Sequence, residues 1–295
     1  MLVASRRREA PRMTEDLGRA SLLGTRSFRL TAHHIDQIFV IDVCRPALPV
    51  SGGQKVPVVY VLDGNGAFGL TAQTAQMLQL GQDPIPPMLI VGIGYQFDRS
   101  NAVRAQHAFS RTRDFTPTND PAWLSTQRAA LQAQGMDAEV SAGGAAAFLR
   151  FITEELKPFI AERYPTVDSN DQTLIGMSLG GLFTLYTLFE QPAAFQRYLV
   201  VSPAVWWDQR MICRQEAVLA ARANDLPVRL FLAVGALEEA AGAPYWPVSG
   251  LADLAAALRG RNYPSLRMTH HVFPDEHHMS VLPGAVSRGL RSVFG

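Results

Sequence analysis

Short apolar runs of three to six residues recur along the chain, and they constrain its fold more than any other feature. Most of them are apolar on both faces, which is typical of strands buried between two helical layers in a parallel sheet. Their alternation with segments of helical length predicts an α/β fold with a doubly wound, mostly parallel sheet and helices on both faces. The runs are residues 38–43, 58–62, 88–93, 173–175, 198–201 and 229–234.

Two of the intervening segments have clear helical patterns. Residues 145–164 place apolar side chains at helical spacing with charges on the opposite side, and residues 182–189 are apolar nearly all round. Residues 99–142 are less regular and are rich in Arg, Thr, Pro and Gln, so we expect a cap-like or lid-like insertion there. The chain is predicted to be one α/β domain over residues 27–295, preceded by a flexible tail at residues 1–26.

Composition limits the classes of function. A chain of 295 residues can build one large α/β domain. A formal net charge of +1 gives no reason to expect a nucleic-acid or membrane partner. Two cysteines are too few for a disulfide framework, and no Cys/His spacing suits zinc. Because no secretory signal is recognisable, we expect a cytoplasmic protein that acts on a small molecule, and its oligomeric state stays open.

The segment Gly176-Met177-Ser178-Leu179-Gly180 matches the G-x-S-x-G pattern of a nucleophile elbow. It follows a short apolar run and precedes an apolar helix, as an elbow requires. A side chain at Gly176 or Gly180 is expected to collide with the neighbouring strand or helix. The pattern predicts Ser178 as a nucleophile at the positive end of a helix dipole. The alternative is a plain strand-to-helix turn with a capping serine.

A serine hydroxyl becomes a good nucleophile when a neighbouring base takes its proton. In hydrolases with this elbow the histidine follows the acid and lies near the C-terminus. His277 and His278 lie in a predicted turn before the last helix, and their spacing does not decide between them. His270 and His271 fall within a predicted strand, so we expect them to be packed or solvated.

The acid is expected after the run at residues 229–234. Glu238 and Glu239 follow that run, and Glu238 is the leading candidate to orient the imidazole. The alternative is a pair of surface glutamates in a loop. Asp208 and Asp225 are weaker candidates.

Acyl transfer also needs hydrogen-bond donors for the tetrahedral oxyanion. The backbone N–H of Leu179, at the start of the helix, is the first expected donor. The second is expected in the turn Asp63-Gly64-Asn65-Gly66, at Gly64 or Asn65, because glycine lets backbone N–H groups point inward. The same residues would also form a tight turn that begins a helix.

Several blocks of sequence, in register, resemble an esterase family of α/β-hydrolases that includes the enterochelin (siderophore) esterases, esterase D and the mycolyltransferase-type antigens. The resemblance extends over nearly all of the chain from about Ser27 and is nearest to the siderophore esterases. It is carried by Tyr60-Val61-Leu62-Asp63-Gly64-Asn65, Arg113-Asp114-Phe115-Thr116-Pro117-Thr118, residues 143–160, the elbow, Ser202-Pro203-Ala204-Val205-Trp206-Trp207 and residues 273–281.

This resemblance implies an α/β-hydrolase fold and ester hydrolysis without a metal or organic cofactor. The last block in similar sequences reads F-P-G-E-x-H-x-S-V, which aligns the catalytic histidine with His278 and leaves His277 as the variable position. Asp275 replaces the usual glycine here. The acid position varies in the family, and some siderophore esterases work with a Ser-His pair, so the resemblance does not fix Glu238.

The resemblance also suggests a substrate. Siderophore esterases cleave serine-derived lactones that bear catechols, and Trp206 and Trp207 could stack on such rings. Arg111 and Arg113 could face an anionic ferric complex. Two other functions are compatible with the sequence: a general acyl-ester or thioester hydrolase of the feruloyl or esterase D type, and a catalytically idle α/β-hydrolase used for binding. The intact elbow and a histidine at the expected place argue against the idle module.

Overall fold

The computed structural model describes residues 22–50, 52–96, 109–133, 135, 140–239, 245 and 247–295. The strands among these residues are β1 (Thr25–Ala32), β2 (Gln37–Cys44), β3 (Val56–Val61), β4 (Leu89–Tyr95), β5 (Val167–Met177), β6 (Arg197–Val201), β7 (Arg229–Gly235) and β8 (Arg267–Phe273). They form one sheet in the order β1-β2-β4-β3-β5-β6-β7-β8. The six strands from β3 to β8 run parallel, whereas β1 and β2 form an antiparallel edge.

Helices separate the parallel strands. Those described are α1 (Gly64–Gln79), α2 (Pro121–Ala133), α3 (Ala145–Arg150), α4 (Lys157–Arg163), α5 (Leu179–Glu190), α6 (Trp207–Arg222), α7 (Pro247–Gly260) and α8 (Val281–Phe294). A further helical stretch ends at residue 115. The predicted alternation of strands and helices is therefore confirmed.

Two apolar cores lie on the two faces of the sheet. Helices α3 to α7 contribute to one core, and α1 and α8 contribute to the other. Every residue of β3 and β4 is buried, which explains why these runs are apolar at consecutive positions. Burial of consecutive apolar side chains against helices on both faces stabilises the centre of a parallel sheet. The predicted doubly wound arrangement is confirmed by this layering.

The helix predicted for residues 145–164 is not uniform. A π-helical turn at Phe151–Leu156 separates α3 from α4. Within it, the Glu155 carboxylate accepts hydrogen bonds from the backbone N–H groups of His33, at 2.9 Å, and His34, at 3.1 Å. These bonds fasten the turn between β1 and β2 to the helical layer. Local π geometry of this kind is invisible to a 3.6-residue pattern.

The structure can be compared with the predicted domain limits at two places, the N-terminal tail and the insertion at residues 99–142. Strand β1 begins at Thr25, two residues inside the stretch predicted as a tail, while residues 1–21 lie outside the described residues. The sequence of β1 is largely polar and its faces are partly exposed, so it contains no apolar run that would predict a strand. Part of the predicted insertion at residues 99–142 also lies outside the description. Phe115, within that stretch, is packed into the main core, whereas Leu124 and Leu131 of α2 form a small separate cluster with Val140. The lid remains a prediction.

Among the described residues, every helix is too short or too polar to cross a lipid bilayer.

Candidate active site

Ser178 lies at the sharp turn between β5 and α5. Its backbone has φ 60° and ψ −121°, a conformation that residues other than glycine rarely adopt. Backbone hydrogen bonds hold it there: the Ser178 N–H donates to the Val201 carbonyl at 3.0 Å, and the Ser178 carbonyl accepts from Leu182 at 2.9 Å and Ala204 at 3.1 Å. The turn places Ser178 in the lining of a cavity at the carboxyl edge of the sheet.

The glycines around Ser178 differ in how much space a side chain would have at each position. A Cβ at Gly176 would lie 2.1 Å from the Gly180 carbonyl oxygen and 2.4 Å from Thr184 Oγ1, so no side chain fits. The predicted collision at Gly180 is milder, because its Cβ would lie 3.3 Å from Asp63 Oδ2. The tighter position is Gly181, whose Cβ would lie 3.0 Å from Pro203 Cα. Close approach of α5 to the loop after β6 therefore depends on Gly181.

The structure distinguishes the two adjacent histidines. His278 Nδ1 lies 2.6 Å from Glu238 Oε2, and the Glu238 side chain is only 3% exposed. His278 also lines the same cavity as Ser178. His277 is exposed, and its backbone N–H donates to Ser280 Oγ at 2.9 Å. Sequence spacing does not decide which of the two histidines is the base. In the structure, only His278 of the two contacts a carboxylate and lines the cavity of Ser178.

The two adjacent glutamates are separated in the same way. Glu238 ends a 3₁₀ turn, Ala236–Glu238, that directly follows β7. Glu239 points elsewhere, since its carboxylate accepts from the Ser249 backbone N–H at 2.6 Å and from Ser249 Oγ at 2.7 Å. The carboxylate that meets the imidazole is therefore the one named as the leading candidate from sequence.

Glu238 is held as an ionised acceptor. Ser202 Oγ donates to its Oε1 at 2.5 Å, and the Gly235 backbone N–H donates to the same atom at 2.8 Å. Burial by itself raises the pKa of Glu238, but the hydrogen bonds from His278, Ser202 and Gly235 outweigh burial and hold the pKa below its ordinary value. Ser202 was not singled out from the sequence as a partner of the acid.

The predicted oxyanion turn lies beside Ser178. The Gly64 position is crowded, because a Cβ there would lie 2.9 Å from the Ile93 backbone. The Asn65 side chain is occupied: its Nδ2 donates to the Tyr95 carbonyl at 2.8 Å, and its Oδ1 accepts from the Tyr95 N–H at 2.8 Å. Any donation to an oxyanion from this turn is therefore by backbone N–H groups. Gly64 and Leu179 each begin a helix, where N–H groups have no partner within the helix.

Arg111 binds the residue that begins this turn. Its Nε and Nη2 donate to the two carboxylate oxygens of Asp63 at 2.5 and 2.9 Å, and Nη2 also lies 3.4 Å from the Met177 carbonyl. Asp63 has φ 54° and ψ 41°, a left-handed conformation. A bidentate ion pair is the strongest common form of such an interaction. Arg111 therefore joins the turn before α1 to the residue that precedes Ser178.

A cavity of about 420 Å³ contains these groups. Its polar lining includes Ser178, His278, Arg111, Asp63 and Asn65, and the remainder is mostly apolar. A small, largely apolar cavity with a few convergent polar groups is the usual form of a site for a small organic substrate.

Arg113 differs from Arg111. Its Nε lies 2.7 Å from Asp114 Oδ1, and the Asp114 side chain is fully buried. Tyr95 also donates its hydroxyl to Asp114, at 2.9 Å. Arg113 is not part of the lining of the Ser178 cavity. Two residues along a helical stretch point in different directions, and the pattern of arginines does not reveal which one faces the cavity.

Trp206 and Trp207 are likewise separated. Trp207 is fully buried, with its indole N–H directed at the Thr118 carbonyl at 3.2 Å, so the structure gives it no face for a ligand. Trp206 lines a second, larger cavity of about 590 Å³ that does not include Ser178. The sequence prediction that both indoles stack on substrate is therefore wrong for Trp207 in this arrangement.

These elements are of the kinds that serine hydrolases use for acyl transfer: a hydroxyl on a strained turn, an imidazole bonded to a buried carboxylate and lining the same cavity, and backbone N–H groups at helix starts. The parallel sheet and its elbow define an α/β-hydrolase. The chain belongs to the family described as "Putative esterase", whose model matches residues 112–279, more than half of the chain. It is an ester hydrolase.

Individual relatives agree with the family. The ferri-bacillibactin esterase BesA of Bacillus subtilis is 32% identical over 279 residues, covering 91% of this chain and 89% of that protein. The siderophore triacetylfusarinine C esterase of Aspergillus fumigatus is 27% identical over 267 residues, covering 83% of each. The crystal structure of the BES protein from Bacillus cereus superposes with a TM-score of 0.79 at 28% identity, covering 96% of this chain and 100% of that one.

Proposed function

We propose that the chain is a serine esterase that hydrolyses the ester bonds of siderophores, with catecholate lactones as its substrate class, through an acyl-enzyme on Ser178. The observation that carries the mechanism is the 2.6 Å hydrogen bond between His278 and Glu238 beside the cavity of Ser178. An imidazole bonded through Nδ1 to an ionised carboxylate has its Nε2 available as a base.

The proposed reaction has two halves. Ser178 Oγ attacks the ester carbonyl carbon while His278 Nε2 takes the hydroxyl proton, and the carbonyl becomes a tetrahedral oxyanion. When the oxyanion collapses, the alcohol leaves with the proton from His278, and the acyl group stays on Ser178. Water then attacks the acyl-enzyme by the same route and releases the acid. Glu238 keeps the imidazole in one tautomer and stabilises its cation in both halves.

Backbone N–H groups would stabilise the oxyanion. Leu179 and one of Gly64 and Asn65 are the proposed donors, and losing one such donor typically costs about 3 kcal/mol of transition-state stabilisation. Arg111 would hold the Asp63 turn in place for this purpose. Among the described residues that line the Ser178 cavity, Arg111 is the only Lys or Arg; its guanidinium, paired with Asp63, is the group proposed to meet an anionic substrate. Arg113 would reach a substrate only from outside that cavity.

The choice of substrate rests on the relatives. Two of them are named as siderophore esterases, and both cover more than four fifths of this chain. Trp206, exposed to a cavity close to the site, is compatible with a substrate that carries aromatic rings. A cytoplasmic location, where ester cleavage would release iron after uptake, is part of the proposal.

The deciding experiment is hydrolysis of a catecholate trilactone, iron-free and ferric, followed by chromatography, beside a short-chain nitrophenyl ester. Trilactone cleavage that disappears in Ser178→Ala is expected. Cleavage of the nitrophenyl ester alone would keep the mechanism and favour a general small-ester hydrolase. No covalent adduct on Ser178 with a fluorophosphonate, in folded protein, would favour an idle binding module.

A further inference from the structure

The cavity of Ser178 extends beyond Ser178 and His278 into one layer of the fold. Val61 and Ile175 are paired across β3 and β5, and both line the cavity together with Ala67 of α1. All three side chains are buried and belong to the core that α1 and α8 form on one face of the sheet. This part of the cavity, which we call its inner end, therefore has apolar walls and lies between the sheet and α1.

Thr71, also on α1, brings a hydroxyl group to this apolar region. It lines the same cavity and is 0% exposed. Its Oγ1 has no hydrogen-bond partner in the part of the chain that the structure describes. Buried polar atoms nearly always have a partner, because an unpaired buried hydroxyl lowers the stability of the fold. An unpaired hydroxyl in the lining of a substrate cavity is therefore available to a group of the substrate.

Threonines on other helices of the protein use their hydroxyl groups differently. Thr126 in α2 and Thr184 in α5 each donate to the carbonyl four residues earlier, at 3.0 Å and 2.8 Å. This bond to the preceding turn is the usual local partner of a helical threonine. The Thr71 hydroxyl does not make it. Helix α1 therefore leaves this hydroxyl free for a group that is not part of the helix.

The position of Thr71 on α1 favours the acyl part of an ester. Thr71 lies about two turns after the start of α1, roughly 10 Å along the helix axis, and helical side chains lean back toward the N-terminus. That N-terminus is the turn proposed to stabilise the oxyanion, which forms on the acyl carbon. The alcohol, by contrast, leaves beside His278, which gives it a proton. The acyl group is therefore the part of an ester that can follow α1 to Thr71.

We propose that Thr71 determines acyl specificity: its hydroxyl donates a hydrogen bond to an oxygen acceptor at the far end of an acyl group that fills the apolar inner end. The preferred substrates would then be esters whose acyl part is apolar along its length and ends near a carbonyl or ether oxygen. The inference rests on the proposed function, because it assumes an acyl group bound to Ser178. A site that bonds one polar atom of a substrate discriminates strongly against the analogue without it.

The test compares nitrophenyl esters that differ in a single group of the acyl chain. Esters of 4-oxopentanoate, 5-oxohexanoate and 6-oxoheptanoate are measured beside 4-methylpentanoate, 5-methylhexanoate and 6-methylheptanoate, in which a methyl group replaces the oxo oxygen. The alcohol is the same throughout, so only the acyl group can change the ratio of kcat/KM within a pair. In the wild type the oxo ester should be preferred at one or more of the three lengths.

Thr71→Val keeps the volume of the side chain and removes its hydroxyl, so it should lower that preference about tenfold or more. Thr71→Ser keeps the hydroxyl and should retain the preference. Thr187→Val is the matched control, because Thr187 is also fully buried on a helix and unpaired within the described residues, but does not line the cavity. It should have the wild-type ratios. Equal ratios in Thr71→Val and the wild type at all three lengths would overturn the inference.

Thermal unfolding gives a second readout. Thr71→Val and Thr187→Val should each raise Tm by about 2 °C or more, because each removes an unpaired buried hydroxyl. A lower Tm in Thr71→Val would mean that its hydroxyl supports the fold, which contradicts the inference. Failure of the proposed function looks different: Ser178→Ala would still hydrolyse the nitrophenyl esters, or the wild type would leave the trilactone intact, whatever the acyl preference of Thr71→Val.

Discussion

Two serines occupy matching turns after neighbouring strands, and they do different work. Met177 and Val201 are paired across β5 and β6, so Ser178 and Ser202 are the next residues in each strand. Both have positive φ, 60° and 43°. Ser178 lines the cavity, while Ser202 is 2% exposed and donates its hydroxyl to Glu238.

The residue that follows each serine explains part of the difference. Leu179 follows Ser178 and begins a helix, so its N–H is available to an oxyanion. Pro203 follows Ser202, and proline has no backbone N–H to donate. The same residue type in the same register therefore serves as the proposed nucleophile in one turn and as a support for the acid in the other. What surrounds the hydroxyl decides its role.

The largest expected effect is the loss of kcat when the serine of each turn is replaced by alanine, and it should differ strongly between the two turns. Ser178→Ala should lower kcat by about 10⁴- to 10⁶-fold, because the proposed acyl-enzyme forms on its hydroxyl. Ser202→Ala, the same change in the matching turn, should cost about tenfold, because it removes one of several bonds to Glu238. Steady-state kinetics on the nitrophenyl ester measures both. Comparable losses in the two variants would break the comparison.

His278→Ala should cost as much as Ser178→Ala, about 10⁴- to 10⁶-fold in kcat, because a serine without its base is a poor nucleophile. His277→Ala is the matched control and should keep nearly full activity, since its side chain is exposed. An active His278→Ala beside an inactive His277→Ala would reverse the assignment of the base.

Glu238→Gln should lower kcat by about 10²- to 10⁴-fold while the protein stays folded, because the amide keeps the volume but not the charge that orients and stabilises the imidazolium. Glu239→Gln, at the adjacent carboxylate, should change kcat little. A wild-type rate in Glu238→Gln would show that Ser178 and His278 work as a pair, and Ser202 would then have no catalytic partner to support.

Arg111→Lys should lower kcat about tenfold to a hundredfold with little change in KM, because lysine cannot keep both bonds to Asp63 and the turn beside Ser178 would loosen. Arg113→Lys, in the ion pair outside the cavity, is the control and should have near-normal kinetics if folded. A raised KM with normal kcat in Arg111→Lys would mean that the guanidinium contacts the substrate instead.

The smallest effect is on stability at low pH. The pKa of Glu238 is lower in the folded protein than its ordinary value of 4.5, so ionised Glu238 stabilises the fold above that value and the contribution is lost as pH falls through the lowered pKa. Urea unfolding at a series of acidic pH values should show this loss in the wild type. Ser202→Ala should move it to higher pH and Glu238→Gln should remove it. A loss at the same pH in all three would contradict the role of Ser202.

Much of the fold could be predicted because buried parallel strands have apolar side chains at consecutive positions. β3, β4 and β6 are visible in this way, and the elbow stands between a strand and a helix that are both buried. β1, with partly exposed faces, gave no such pattern. The helix α6 was also missed, since it begins with a left-handed turn that no periodicity anticipates.

The site could be predicted only to within neighbouring residues. In two places identical residues adjoin and one position decides which of them reaches the site: Glu238 and Glu239, and His277 and His278. A third pair, Trp206 and Trp207, differs in the same way, because only Trp206 lines the larger cavity. Composition and spacing are the same for both members of each pair. The direction of each side chain is set by backbone angles and distant partners, such as Ser249 for Glu239 and Thr118 for Trp207.

The left-handed turn at Asp208, Gln209 and Arg210 has a consequence for how this protein can evolve. Each of these residues has a conformation that costs roughly 1–2 kcal/mol for a residue with a side chain but that glycine adopts freely. Glycine at Gln209 would thus be expected to raise stability, although glycine usually weakens a helix. It would also erase a side chain from the wall of the larger cavity. A substitution at this turn would therefore change the stability of the fold and the lining of the larger cavity together.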